Sequence, residues 1–275
     1  MKNKKIILAV SSGLAIIILA AYAFPYLYLV LTSFKPSADV ISIPPTFLPK
    51  EWSLENYKSI ENYPYLPRTF LNSLIIAVSS TILTLIISIP AAYGISRYNT
   101  RYGQIFLIIA LIARLIPYIS VAVPLFLIFK RIGIVGSYPS VIIGHMTVSI
   151  PFAIWLLSSF FQGIPSEIEE AARIDGCSRL SALVKVILPI MLGGVGTTAI
   201  FSFLASWNDF LFALMLSSPI TKTAPIAISE FNSQHGVMWG TMTSLATLFS
   251  LPVILISFFF QKNLIAGSTA GAVKG

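Results

Sequence analysis

The sequence predicts an all-α, polytopic integral membrane protein with about six transmembrane helices. Three observations predict it. Of 275 residues, 56% are hydrophobic and only 10% charged, where an ordinary soluble domain carries about 25% charged residues. The mean hydropathy is +0.86. Six apolar runs, at roughly 6–32, 70–95, 103–129, 138–160, 190–216 and 241–261, each supply the ~20 residues a helix needs to cross a bilayer. One membrane domain, 1–275, is expected to account for the chain.

The first run follows Lys2, Lys4 and Lys5 and contains Ala21-Tyr22-Ala23, which imitates a signal-peptide cleavage site. Its apolar stretch continues through Leu27, Leu29 and Leu31, well past the core of about 7–15 residues of a signal peptide, so an uncleaved helix is expected. Segment 33–69, with Pro36, Pro44, Pro45, Pro49, Pro64 and Pro67 and balanced charge, is expected to form an ordered cap. Pro90, Pro117, Pro124, Pro151 and Pro252 interrupt the later runs. Each removes a backbone hydrogen bond, and the prolines serve either helix shape or hinging.

Orientation follows from basic residues near the span ends. Lys2, Lys4 and Lys5 place the N terminus in the cytosol, Arg97 and Arg101 place the loop after run two there, and Lys262 and Lys274 do so for the C terminus. Lys130 and Arg131 fall outside and break the rule. Counting spans makes the loop between runs four and five cytosolic, with Arg173, Arg179 and Lys185.

That loop, 165–189, is too long for a turn. Pro165 opens it, and Ser166 with Glu169 is expected to form an S-x-x-E capping box. Ile164, Ile168, Ala171 and Ala172 fall on one side of a helix. Asp175-Gly176 ends it, with Gly176 suited to a left-handed cap. A second helical stretch runs from about Ser178 into Leu188-Pro189. Small residues on an exposed face admit another protein's backbone, so the loop reads as a plug for a cytosolic socket.

The run Glu170-Ala171-Ala172-Arg173-Ile174-Asp175-Gly176, closed by Val186-Ile187-Leu188-Pro189, resembles the EAA loop of ABC-importer permeases. Val186 stands where that pattern usually has Ile. Asn72-Ser73-Leu74, Ala91-Ala92-Tyr93-Gly94, Pro124-Leu125-Phe126, Ile150-Pro151-Phe152, Trp207-Asn208-Asp209 and the tail Gly267–Gly275 are similar to the second, smaller permease of maltose-type carbohydrate importers. The resemblance implies a multi-pass subunit of the cell membrane with both termini cytoplasmic. Its partners would be a second permease, two ATP-binding cassette subunits, an extracytoplasmic solute-binding protein, lipid and a sugar. It implies no cofactor on this chain, with ATP and Mg on the partner subunits. Glu170, Ala171, Ala172, Asp175 and Gly176 would couple to the ATPase, segment 217–240 would reach the binding protein, and Gly271, Lys274 and Gly275 in the tail would contact the ATPase.

The deepest charges are Arg114 and Asp209. Such charges are costly in lipid and must face protein or water. In straight helices their depths would differ by roughly 12 Å, which argues against a direct pair. Arg114 is either a structural charge or a substrate ligand. Trp207, Asn208 and Asp209 offer a flat ring, an amide and a carboxylate, which suit a sugar; packing with an interfacial aromatic anchor is the alternative. His145 is expected to be a satisfied interhelical donor rather than a proton relay. Net charge +8 is too dispersed for nucleic acid. The single Cys177 excludes an internal disulfide, and no C-x-x-C, H-E-x-x-H or phosphate-cradling G-x-x-x-x-G-K-[ST] occurs. A transporter without bond-breaking chemistry is the expectation. The rivals are an ABC permease for another small solute, an integral-membrane enzyme and an ion-driven carrier.

Overall fold

The computed structural model describes residues 2–98, 101–233 and 236–269, with side chains for 11–260 of these. The chain divides into two compact units, Met1–Leu66 with Ala227–Leu251, and Pro67–Ile226 with Pro252–Gly275. Helix α1 (Lys2–Ser33) runs unbroken past Ala23 and through Pro25. Segment 34–65 is ordered by α2 (Ser37–Val40), α3 (Glu55–Lys58) and a 3₁₀ turn at Ser59–Asn62. Within the first unit, Lys35 is only 1% exposed; its Nζ donates to the Thr46 carbonyl and lies 4.7 Å from the Tyr28 ring centre. Asn56 Nδ2 donates to the carbonyls of Ser33 (3.0 Å) and Lys35 (2.7 Å). These bonds order the segment after α1.

The second unit begins with α4 (Leu66–Tyr98), which carries Pro90 inside a continuous helix. Helices α5 (Arg101–Ala113) and α6 (Tyr118–Arg131) meet at 99°, so the third apolar run is not one straight rod. The break falls at Arg114–Pro117; the other prolines singled out, Pro124, Pro151 and Pro252, lie within helices. Of these prolines, only Pro117 coincides with a sharp turn. Helix α7 (Tyr138–Gln162) starts at Ser137, whose hydroxyl accepts the Ser140 N–H. The following loop forms α8 (Ser166–Ile174), α9 (Arg179–Ala182), a π-helical turn at Leu183–Ile187 and α10 (Leu188–Ile190). The chain then bends by 82° into α11 (Leu192–Trp207).

The fifth run breaks again at Asn208–Phe210 before α12 (Leu211–Leu216), against the expectation of continuity to 216. The cause is local. Asn208 Nδ2 donates to the Leu204 carbonyl, and Asp209 Oδ1 accepts the Ala213 N–H at 3.1 Å. Asn and Asp side chains offer the backbone alternatives to helix bonds. Beyond this point come α13 (Ala224–Ser229), a two-stranded hairpin of β1 (Asn232–Ser233) and β2 (Gly236–Val237), and α14 (Trp239–Thr269). Four helices are long and apolar enough to cross a membrane, or six if each bent pair is one span.

Two apolar clusters hold the second unit together. One packs Ala92, Tyr93, Leu157, Phe161 and Ile187, joining α4 and α7 to the segment before α11. The other packs Ile76, Phe129, Val141, Phe212 and Leu216, joining α4, α6, α7 and α12. Gly194 permits the approach of α11 to α7, since a Cβ there would sit 2.6 Å from Phe160 Cγ. Small residues at such crossings suit membrane helices, where close van der Waals packing drives association. Asn72 donates to the Ile220 and Lys222 carbonyls and accepts from Tyr138, while Ser73 accepts from Ala224 N–H. The residues after α12 are thereby fastened to the start of α4.

Candidate functional site

The second unit carries two polar constellations. The first organises the loop 165–189. Helix α8 begins after Pro165 with no side-chain cap, so the expected capping box does not form. Glu169 is instead turned inward and buried. Its Oε1 accepts from the Tyr93 hydroxyl at 2.5 Å, and its Oε2 lies 3.0 Å from Arg97 Nε. Arg97 Nη1 donates to the Ile164 carbonyl at 3.0 Å. Tyr93 and Arg97 are four residues apart on α4 and so share a face. That face grips the start of α8. The next turn is joined to the same helix end by Arg179, which donates to the Tyr98 hydroxyl.

The end of α8 follows the sequence reading. Gly176 has φ +90°, Cys177 N–H bonds the Ala172 carbonyl at 3.0 Å and Gly176 N–H bonds that of Arg173 at 3.1 Å. This pair of bonds is the Schellman termination, which needs a left-handed residue. Glu170, Ala171, Asp175 and Gly176 are exposed. Ala172 is buried, a correction to the expectation that both alanines face outward: with Glu169 and Ile164 it belongs to the inner face. The outer surface carries large apolar side chains, Ile174 at 86% and Leu180 at 69% exposure. Sequence reasoning used Arg97 only for topology and missed Tyr93; an Arg four residues after a Tyr at a helix end, facing a loop rich in Glu, was the available signal. Gly271, Lys274 and Gly275 lie outside the described residues.

The second constellation lines a cavity of about 670 Å³ between α6, α7, α11 and α12. Arg114, Tyr118, His145, Phe152, Phe201, Ser202, Asn208, Asp209 and Phe210 are among its walls. The helix breaks at Arg114–Pro117 and Asn208–Phe210 place Arg114 and Asp209 on the walls of one cavity, without the direct pair that the depth argument spoke against. They do not form an ion pair. The Arg114 guanidinium lies 4.4 Å from the Phe152 ring centre, while Asp209 Oδ1 is 3.1 Å from His145 Nε2. The latter contact has ion-pair distance without the alignment of a good hydrogen bond.

His145 is buried, and its Nδ1 is 2.6 Å from Ser206 Oγ, which in turn accepts from Ser80 Oγ at 2.9 Å. His145 thus makes an interhelical contact, but its Nε2 has no hydrogen-bond partner among the described residues, so it is not the fully satisfied donor expected. Trp207 is not a ring platform: it is 3% exposed and stacks on Phe203 with centroids 5.6 Å apart. Asn208 and Asp209 do line the cavity. The aromatic surface comes from Phe152, Phe201, Phe210 and Tyr118, which no periodicity in the sequence marks out.

Residues 84–268 match the family described as binding-protein-dependent transport system inner membrane component. The chain is 40% identical over 253 residues to a probable ABC transporter permease of Sinorhizobium fredii, covering 92% of this chain and 91% of that protein. It is 32% identical over 276 residues to the trehalose/maltose transport system permease of Thermococcus litoralis, covering 99% and 98%. In fold it is similar to a chain of a bacterial ABC transporter that imports the acidic polysaccharide alginate, with TM-score 0.80 at 21% identity over 95% of this chain and 98% of that one. The chain therefore belongs to the inner membrane components of binding-protein-dependent transport systems, and it is a permease subunit rather than an enzyme.

Proposed function

We propose that this chain is the second permease of an ATP-driven saccharide importer. It would form the pathway with a related permease, receive a mono-, di- or oligosaccharide from an extracytoplasmic binding protein and couple to two cytosolic ATPase subunits. ATP and Mg would be bound there. The saccharide cargo is supported by relatives named as sugar permeases that cover more than nine-tenths of this chain, such as the trehalose/maltose permease and the diacetylchitobiose permease of Streptomyces coelicolor at 28% identity. Cytoplasmic termini are supported by Lys2, Lys4, Lys5, Arg97 and Arg101.

The observation that carries the coupling role is the loop 165–189. It exposes Ile174 and Leu180 on a turn held from within by Glu169, Tyr93 and Arg97. Exposed apolar side chains on a rigid support suit a protein socket. Glu170, Ala171, Asp175 and Gly176 would lie at that contact, with Ala172 packed behind it. Gly271, Lys274 and Gly275 would add a contact between the ATPase subunits.

The test is saccharide uptake and ATP hydrolysis by the complex in liposomes. Glu170→Lys and Gly176→Pro should abolish uptake and its coupling to hydrolysis while the permease remains inserted. Full coupled uptake by both variants, with normal ATPase retention, would refute the reading.

A further inference from the structure

We infer that the cavity between α6, α7, α11 and α12 is a saccharide subsite, built for a neutral sugar ring with adjacent hydroxyls, and that Asp209 and Arg114 determine its specificity; this rests on the importer reading above. The argument starts from what each group has left to offer. Asp209 Oδ1 is occupied by the Ala213 N–H at 3.1 Å and by His145 Nε2 at 3.1 Å. Among the described residues Oδ2 has no such partner, and it is not sealed from the cavity as a buried orphan atom would be. The carboxylate is thus anchored by one oxygen and open at the other. Asn208 uses its Nδ2 on the Leu204 carbonyl, which leaves its Oδ1 as an acceptor.

The donor comes from Arg114, in the break between α5 and α6. Arg114 rests on Phe152 at 4.4 Å, so its plane is positioned by a ring face and its N–H groups are not spent on a carboxylate. Two adjacent sugar hydroxyls both donate and accept. They can satisfy an open carboxylate oxygen and a guanidinium together, which an apolar or purely anionic ligand cannot.

Charge and shape agree with that assignment. Arg114 and Asp209 carry opposite formal charges that sum to zero, so the pair does not favour an ion of either sign by net charge. Phe152 and Phe201 meet edge to face at 5.7 Å, and Phe210 and Tyr118 are exposed beside them. Such faces suit the C–H surface of a pyranose. The volume, about 670 Å³, lies in the ~300–1,000 Å³ range of small-molecule sites.

The test uses the whole complex in liposomes, with Cys177→Ser and Ala205→Cys so that the only thiol of this chain is on the cavity wall. Labelling of that thiol is followed with trehalose, maltose, diacetylchitobiose and an alginate oligosaccharide as probes. A neutral saccharide should slow labelling. Asp209→Asn and Arg114→Gln should each raise the protecting concentration at least about tenfold, the loss of a hydrogen bond to a charged group. Arg114→Gln is the safeguard, because Asp209 also holds α12. The proposal is overturned if an imported saccharide gives no protection, if both variants are protected like the parent, or if the acidic oligosaccharide protects better than every neutral sugar. Import of none of the probes would overturn the importer reading itself, and the subsite with it.

Discussion

Glu169 and Asp209 are both carboxylates in the second unit, and the chain treats them in opposite ways. Glu169 has a partner on each oxygen, the Tyr93 hydroxyl bonded to one and the Arg97 guanidinium at ion-pair distance from the other. Asp209 is held on one oxygen by His145 and the Ala213 N–H, with the other open to the cavity. The first arrangement fixes a surface loop against a helix. The second fixes a side chain while leaving it something to bind. Burial alone does not distinguish them; whether the second oxygen faces a cation or a cavity does.

The comparison can be broken most sharply at the closed carboxylate. Glu169→Ala leaves Arg97 without its counter-charge, and breaking a buried pair from one side costs about 3–5 kcal/mol. Thermal unfolding of the purified complex should show the largest fall for this variant, and Glu169→Gln, which keeps an acceptor for Tyr93, should fall less. Equal stability of Glu169→Ala and the parent would remove the contrast.

Next in size is His145→Leu, which removes one partner from the Ser206 hydroxyl and one from Asp209 Oδ1, leaving them Ser80 and the Ala213 N–H. A loss of about 1–3 kcal/mol is expected from buried polar groups that lose a partner, together with weaker protection of the cavity thiol by saccharide. Gly176→Ala forces a Cβ into φ +90°, at a cost of about 1–2 kcal/mol. Protease sensitivity of the loop 165–189 should rise while cavity protection stays as in the parent. The smallest effect is expected of Trp207→Phe. An aromatic exchange on the buried Phe203 stack should cost less than about 1.5 kcal/mol and leave saccharide protection unchanged. A change in sugar preference by that variant would restore the indole to the pathway.

The loop and the cavity were legible to different degrees. The glycine cap and the second helical stretch were readable because both depend on residues close in the chain. The role of Glu169 was misread because its two partners lie 76 and 72 positions earlier, on α4. The local capping box is a weaker attraction than a tyrosine and an arginine arriving from another helix. Trp207 was misjudged for the same reason: Trp, Asn and Asp are adjacent in sequence, but the indole packs into the core while the polar pair ends the helix.

By itself the sequence determined the all-helical membrane class, the positions of the apolar runs and the loop that ends at Gly176. Those follow from hydropathy, spacing and backbone preference, which act over a few turns. Only the tertiary structure decided that runs three and five bend, that Arg114 and Asp209 share one cavity, and that Glu169 is closed while Asp209 stays open. Helix length predicts depth only for a straight helix, and hydrogen bonds between distant helices are made after the segments meet.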